Sequence, residues 1–118
     1  MKFLQEEQLK SMVQPEKSIE QFVGRIEHPD YNGFRWIEIR KSKNIYTLVL
    51  HEVFDDSEEI EDFYEFSYIE PDDIYGKEIQ NFQSINEALS AASGLYHADL
   101  NKYLPPSYLN EYFTLHLR

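Results

Sequence analysis

The pentapeptide His51-Glu52-Val53-Phe54-Asp55 begins like the zinc-binding pattern H-E-x-x-H and ends on an aspartate where the second histidine is required. It falls in a run that reads as a strand, where positions i and i+4 lie about 13 Å apart, too far to share one metal. His28, His97 and His116 belong to three other elements, none at i, i+4 to another. Cysteine is absent, which removes disulfides and thiolate zinc sites. His51 is therefore expected to be a partly buried structural histidine.

Counting from Asp55, Ser57 and Glu59 stand at the third and fifth positions of a calcium loop, but Ile60 occupies the sixth, where the turn needs glycine. A glycosidase would use two carboxylates across a cleft, and nothing singles out a pair among so many. No G-x-S-x-G, P-loop or G-x-G-x-x-G occurs, and four glycines in all leave little material for phosphate-cradling loops. The expectation is a protein that is not an enzyme and uses no cofactor and no metal.

What these side chains can do is recognise a cation. Residues 44–76 hold 11 Asp and Glu and no Lys or Arg, while the rest of the chain holds 11 acidic and 11 basic groups, so the net charge of −11 belongs to this stretch. Uncompensated repulsion costs stability, a cost that a basic partner would relieve. Its densest part, Asp55 to Asp62, carries six carboxylates in eight residues and must lie at a sheet edge in water. The candidate contacts are Asp55, Asp56, Glu58, Glu59, Glu61, Asp62 and Glu65, with Tyr64 and Tyr68 as rigid aromatic anchors.

The expected function is an acidic protein-binding domain, most concretely an immunity or antitoxin-type inhibitor that neutralises a basic, nuclease-like bacterial toxin. Two other readings stand beside it. One is a nucleic-acid mimic, which needs carboxylates spaced like phosphates. The other is a small bacterial domain whose acidity serves solubility alone. A sequence pI near 4.7 opposes contact with nucleic acid or anionic membranes. No apolar run approaches the length of a membrane span and the first residues lack a secretory core, so a cytoplasmic setting is expected.

These residues need a scaffold. At 118 residues with 42% apolar composition, the chain is expected to form one domain, 1–118, around one core. Ile45 to Phe54 has apolar groups on both faces, as a central strand does. Phe34 to Lys41 alternates, with Phe34, Trp36 and Glu38 on one face and Arg35, Ile37 and Ile39 on the other, and pairs with it through the turn Lys41 to Asn44. The cations of that turn lie at the opposite end of the hairpin from the acidic run. Gln21 to Glu27 and Phe63 to Ile69 read as further strands, the latter with Tyr64, Phe66 and Tyr68 on one face. Ile74 to Phe82 is a loop or a short edge strand.

Ser84-Ile85-Asn86-Glu87 is a capping box. Ile85, Ala88, Leu89, Ala92, Leu95 and Tyr96 then share a face, with Ala91 and Gly94 adding to the small residues that permit close approach. Leu4, Leu9, Met12 and Val13 predict a short helix that Pro15 stops. Residues 106–118 fit either a helix or a strand. The fold class is thus α+β: an antiparallel sheet of about four strands, one main C-terminal helix (85–98) packed on one face, and a short N-terminal helix. Eighteen aromatic rings exceed what one helix-covered sheet buries, so some of Tyr31, Tyr64, Tyr68, Tyr75 and Tyr103 should reach the surface.

Overall fold

A computed structural model describes residues 2–12 and 17–118, so the parts of the first-helix reading that rest on Val13 and Pro15 lie outside the described residues. The alternation of apolar side chains produces four strands, β1 (Ser18–His28), β2 (Tyr31–Ser42), β3 (Ile45–Phe54) and β4 (Lys77–Phe82), antiparallel and in sequential order. Pro29-Asp30 and Lys43-Asn44 make two-residue turns, closed by His28 opposite Tyr31 and Ser42 opposite Ile45. The first strand is longer than the predicted Gln21 to Glu27. A register shift between Phe22 and Gly24 flips the later alternation, so that Phe22 and Arg25 both reach the Phe34 face.

One face of the sheet carries Ile19, Ile37, Ile39 and Leu48, all fully buried. They are covered by α2 (Ile85–Tyr96) through Ala88, Leu89 and Ala92, and by Leu4 and Leu9 in and just before α1 (Glu6–Met12). The Ser84 hydroxyl accepts from the Glu87 amide at 3.1 Å, and the Glu87 carboxylate reaches back to the Gln83 amide at 3.3 Å, one residue before the expected cap. The helix ends at Tyr96, not at 98, because His97 turns left-handed (φ 57) and its N–H returns to Ala92 and Ser93. Leu95 departs from the expected stripe at 55% exposure, and Gly94 has open space around it, so neither serves the helix–sheet contact. Ala92 does: it is fully enclosed, and Ala92→Leu is expected to overpack the layer and lower unfolding free energy by about 1 to 3 kcal/mol in urea titration.

The other face is also covered, which is where the aromatic rings go. Phe34, Trp36 and Val53 of the sheet pack against Phe63, Phe66, Leu109 and Phe113. Residues 106–118 thus resolve as a helix, α3 (Leu109–His116), with Leu109 and Phe113 buried. The run Phe63 to Ile69 is not a fourth full strand. Asp62 caps a 3-10 turn at Phe63–Glu65, and Phe63 and Phe66, three residues apart, both point into the Phe34–Phe113 cluster. Burying two rings on one side of a tight turn outweighs the β preference of the segment, which in a strand would have sent them to opposite faces. Only a bridge survives, Val53 opposite Tyr68, with the Phe54 amide on Ser67 O at 2.8 Å and the Ile69 amide on Glu52 O at 3.1 Å. Lys77 to Phe82 then takes the remaining edge of β3 as β4.

Candidate functional site

The acidic loop leaves β3 at Phe54 and is held by its own backbone. The Asp55 amide donates to Asn32 O at 2.9 Å, the Ile60 amide to Asp56 O at 2.9 Å, and the Phe63 amide to the Asn110 side chain at 2.8 Å. Three of the carboxylates are part of this frame. Asp55 accepts from the Ser57 amide and hydroxyl, Asp56 from the Ser67 amide at 2.7 Å, and Asp62 from the Tyr64 amide at 3.0 Å. The side chains of Glu58, Glu59, Glu61 and Glu65 are exposed and make no ion pair among the described residues. They lie along a segment that these hydrogen bonds hold at the end of β3. Beside it lies a concavity of about 380 Å³ lined by Tyr31, Phe54, Asp55, Asp56 and Glu58, among others. Its aromatic wall is fixed by the stack of Tyr31 on His28 at 4.4 Å and its edge contact with Phe54 at 5.1 Å. An aromatic wall beside carboxylates suits an inserted guanidinium or ammonium.

The repulsion expected within the stretch is partly relieved from inside the chain. The Arg118 guanidinium donates to Ser57 O at 3.0 Å and Glu61 O at 2.7 Å, and sits over the Phe113 ring at 5.1 Å. Arg35 pairs with Glu52 at 2.7 Å. Both cations come from outside residues 44–76, so charge counting along the sequence could not reveal them.

Tyr64 and Tyr68 are half-buried, and both spend their hydroxyls inward. Tyr64 O–H donates to Glu20 at 2.7 Å and accepts from the Leu109 amide at 2.9 Å. Tyr68 O–H meets His51 Nδ1 at 2.7 Å, His51 Nε2 meets Glu38 Oε1 at 2.6 Å, and Arg40 donates to the same oxygen at 2.7 Å. Trp36 stacks on His51 at 3.7 Å, closing the ring off from water. These tyrosines therefore fasten the acidic segment to the sheet, through a buried network of Glu20, Glu38 and His51. Of the other tyrosines expected at the surface, Tyr75 reaches it, whereas Tyr103 is fully buried.

The network has its own electrostatics. Burial would raise the Glu38 carboxyl, but hydrogen bonds from His51 and Arg40 outweigh it and hold the group below its ordinary range. Glu20 lacks a cation that close; burial pushes it up to about 7, against the Tyr64 hydrogen bond, and the Glu38 charge across the strand adds to the rise. Burial and Glu38 raise Tyr68 to about 12, and burial with the Glu20 charge raises Tyr64 further still. Glu38 was visible in the sequence as the one charge alternating with Phe34 and Trp36; Glu20 was hidden by the ambiguity of the first strand.

Among the described residues no cluster of His, Asp and Glu could hold a metal ion, and no helix is long and apolar enough to cross a membrane. No protein-family model, no curated protein and no solved structure matches the chain.

Proposed function

We propose that this is an acidic protein-binding domain that neutralises a basic partner, in the manner of an immunity protein inhibiting a nuclease-like bacterial toxin, and that it binds rather than catalyses. The observation carrying this reading is the pre-formed edge of Glu58, Glu59, Glu61 and Glu65, held by backbone hydrogen bonds next to the Tyr31–Phe54 concavity. An ordered loop loses little entropy on binding, and its carboxylates steer a cationic surface before contact. A toxin that attacks nucleic acid must itself carry a basic, phosphate-attracting site, which is the surface complementary to this edge. A cytoplasmic setting is part of the same proposal.

Glu58, Glu59 and Glu61 are the residues to reverse, since Asp62 is needed as a cap. Against a basic nuclease-like toxin domain that the wild type captures, replacing all three by Lys is expected to slow association about tenfold or more at low salt and to flatten its salt dependence. The thermal midpoint should hold or rise, because repulsion is removed. Stopped-flow on-rates that do not change with the reversal would sink the reading.

A further inference from the structure

We propose that the end of the sheet opposite the acidic loop is a binding site for a small hydroxyl-bearing phosphate ester. The 3-10 turn and α3 cover the second face only as far as Trp36 and His51, and beyond them the face opens into a cavity of about 610 Å³ lined by Lys17, Ser18, Glu38, Arg40, Lys41, Ser42 and Lys43. Four of the chain's 11 cations line it, in a protein with 22 carboxylates, although the Lys41 ammonium turns away over the Tyr46 ring at 5.4 Å. Lys17, Lys41 and Lys43 make no ion pair among the described residues. Arg40 is anchored through Nη2 alone, to Glu38 and to Tyr75 O at 2.6 Å, and its Nε and Nη1 find no acceptor among the described residues. The free Nε–H and Nη1–H point apart, so each can give one further hydrogen bond to an anionic ligand while Nη2 holds the guanidinium in place.

The floor of the cavity names the rest of the ligand. Glu38 has a side chain only 9% exposed, and its Oε1 is shared by His51 and Arg40. Its Oε2 accepts no hydrogen bond among the described residues, yet it is not among the fully enclosed unsatisfied atoms, so this oxygen opens on the cavity. That oxygen can accept from water or from a ligand hydroxyl that displaces it. An occupant that combines an anionic group for the cations with a hydroxyl for Glu38 uses both features of the cavity. Lys43 supports the assignment, since it holds the left-handed φ of 56 in a turn position that glycine or asparagine fills without strain. The acidic loop does not forbid an anion here. It lies the ten-residue length of β3 away, about 30 Å, well beyond the screening length of roughly 8 Å at physiological salt.

The test uses ribose 5-phosphate, inorganic phosphate and ribose as probes, followed by amide chemical shifts and calorimetry on the full chain. Ribose 5-phosphate is expected to bind about tenfold or more tightly than inorganic phosphate, with ribose alone silent and the shifts gathered at Ser18, Glu38 and Arg40. Lys17→Gln with Lys43→Gly should weaken binding about tenfold or more while the thermal midpoint holds or rises, because glycine relaxes the turn. The triple reversal of the acidic edge should leave this binding intact, which separates the site from the partner surface. Equal affinity for inorganic phosphate and the ester would reduce the cavity to a charge patch. Binding that ignores the double variant, shifts elsewhere, or no binding at about 10 mM would overturn it.

Discussion

Replacing Glu20 by Gln is expected to remove a large alkaline loss of stability. The Glu20 carboxyl titrates at about 7 in the folded protein against 4.5 for the free group. The folded state therefore binds the proton more tightly than the unfolded chain, and stability falls as pH rises. The contribution of Glu20 is complete below about pH 4.5, is lost as pH climbs through 7, and is constant above. At about 1.4 kcal/mol per pH unit, the interval corresponds to roughly 3 kcal/mol. Glu38 works the other way: its lowered carboxyl adds stability above its ordinary range that is lost on acidification. The difference between wild type and Glu20→Gln isolates the first effect, because Gln keeps an oxygen to accept from Tyr64. Urea titrations at about pH 4 and pH 8 should show the variant gaining about 3 kcal/mol relative to wild type over that interval. Parallel pH profiles for the two proteins would mean that Glu20 is ionised and solvated in the fold. Because Tyr64 joins Glu20 to the acidic segment, the same titration should alter amide exchange in residues 62–68.

Phe113→Ala is expected to be the most damaging single truncation. Its ring is 1% exposed and meets Phe34 and Phe63 at 5.1 Å and Phe66 at 5.4 Å. Removing a buried aromatic costs about 3 to 5 kcal/mol, and here the cavity opens between a helix and a 3-10 turn, leaving the Phe63–Asn110 and Leu109–Tyr64 hydrogen bonds to hold the two together. The consequence reaches the proposed binding edge. Phe63 and Phe66 anchor the acidic segment on Phe113, and Arg118, which caps the loop carbonyls, rests on the same ring. Amide exchange should accelerate from about residue 55 to 68 in the variant, while the face under α2 keeps its protection. Phe113→Leu should recover most of the loss, with a residual cost near 1 kcal/mol. A denaturation midpoint unchanged by Phe113→Ala would show that α3 contributes no docking energy.

Residue pattern alone determined the α+β class, the β2–β3 hairpin with its faces, the capped helix beginning at Ile85 and the placement of charge in residues 44–76. These are set by neighbours close in sequence: alternation with period two, the i, i+3, i+4 stripe, and a serine three residues before a glutamate. Tertiary structure decided the rest. Whether Phe63 to Ile69 became a strand depended on what Phe63 and Phe66 would meet, and they met Phe34 of β2 and Phe113 of α3. Whether Tyr64 and Tyr68 faced a partner or the sheet depended on Glu20 and His51, which lie far from them in the chain. Arg118 on the acidic loop and the convergence of Lys17 with Arg40 and Lys43 are likewise long-range. Hydrogen bonds and ring contacts of this kind form only after loop closure brings distant residues together, so no local window of the sequence encodes them.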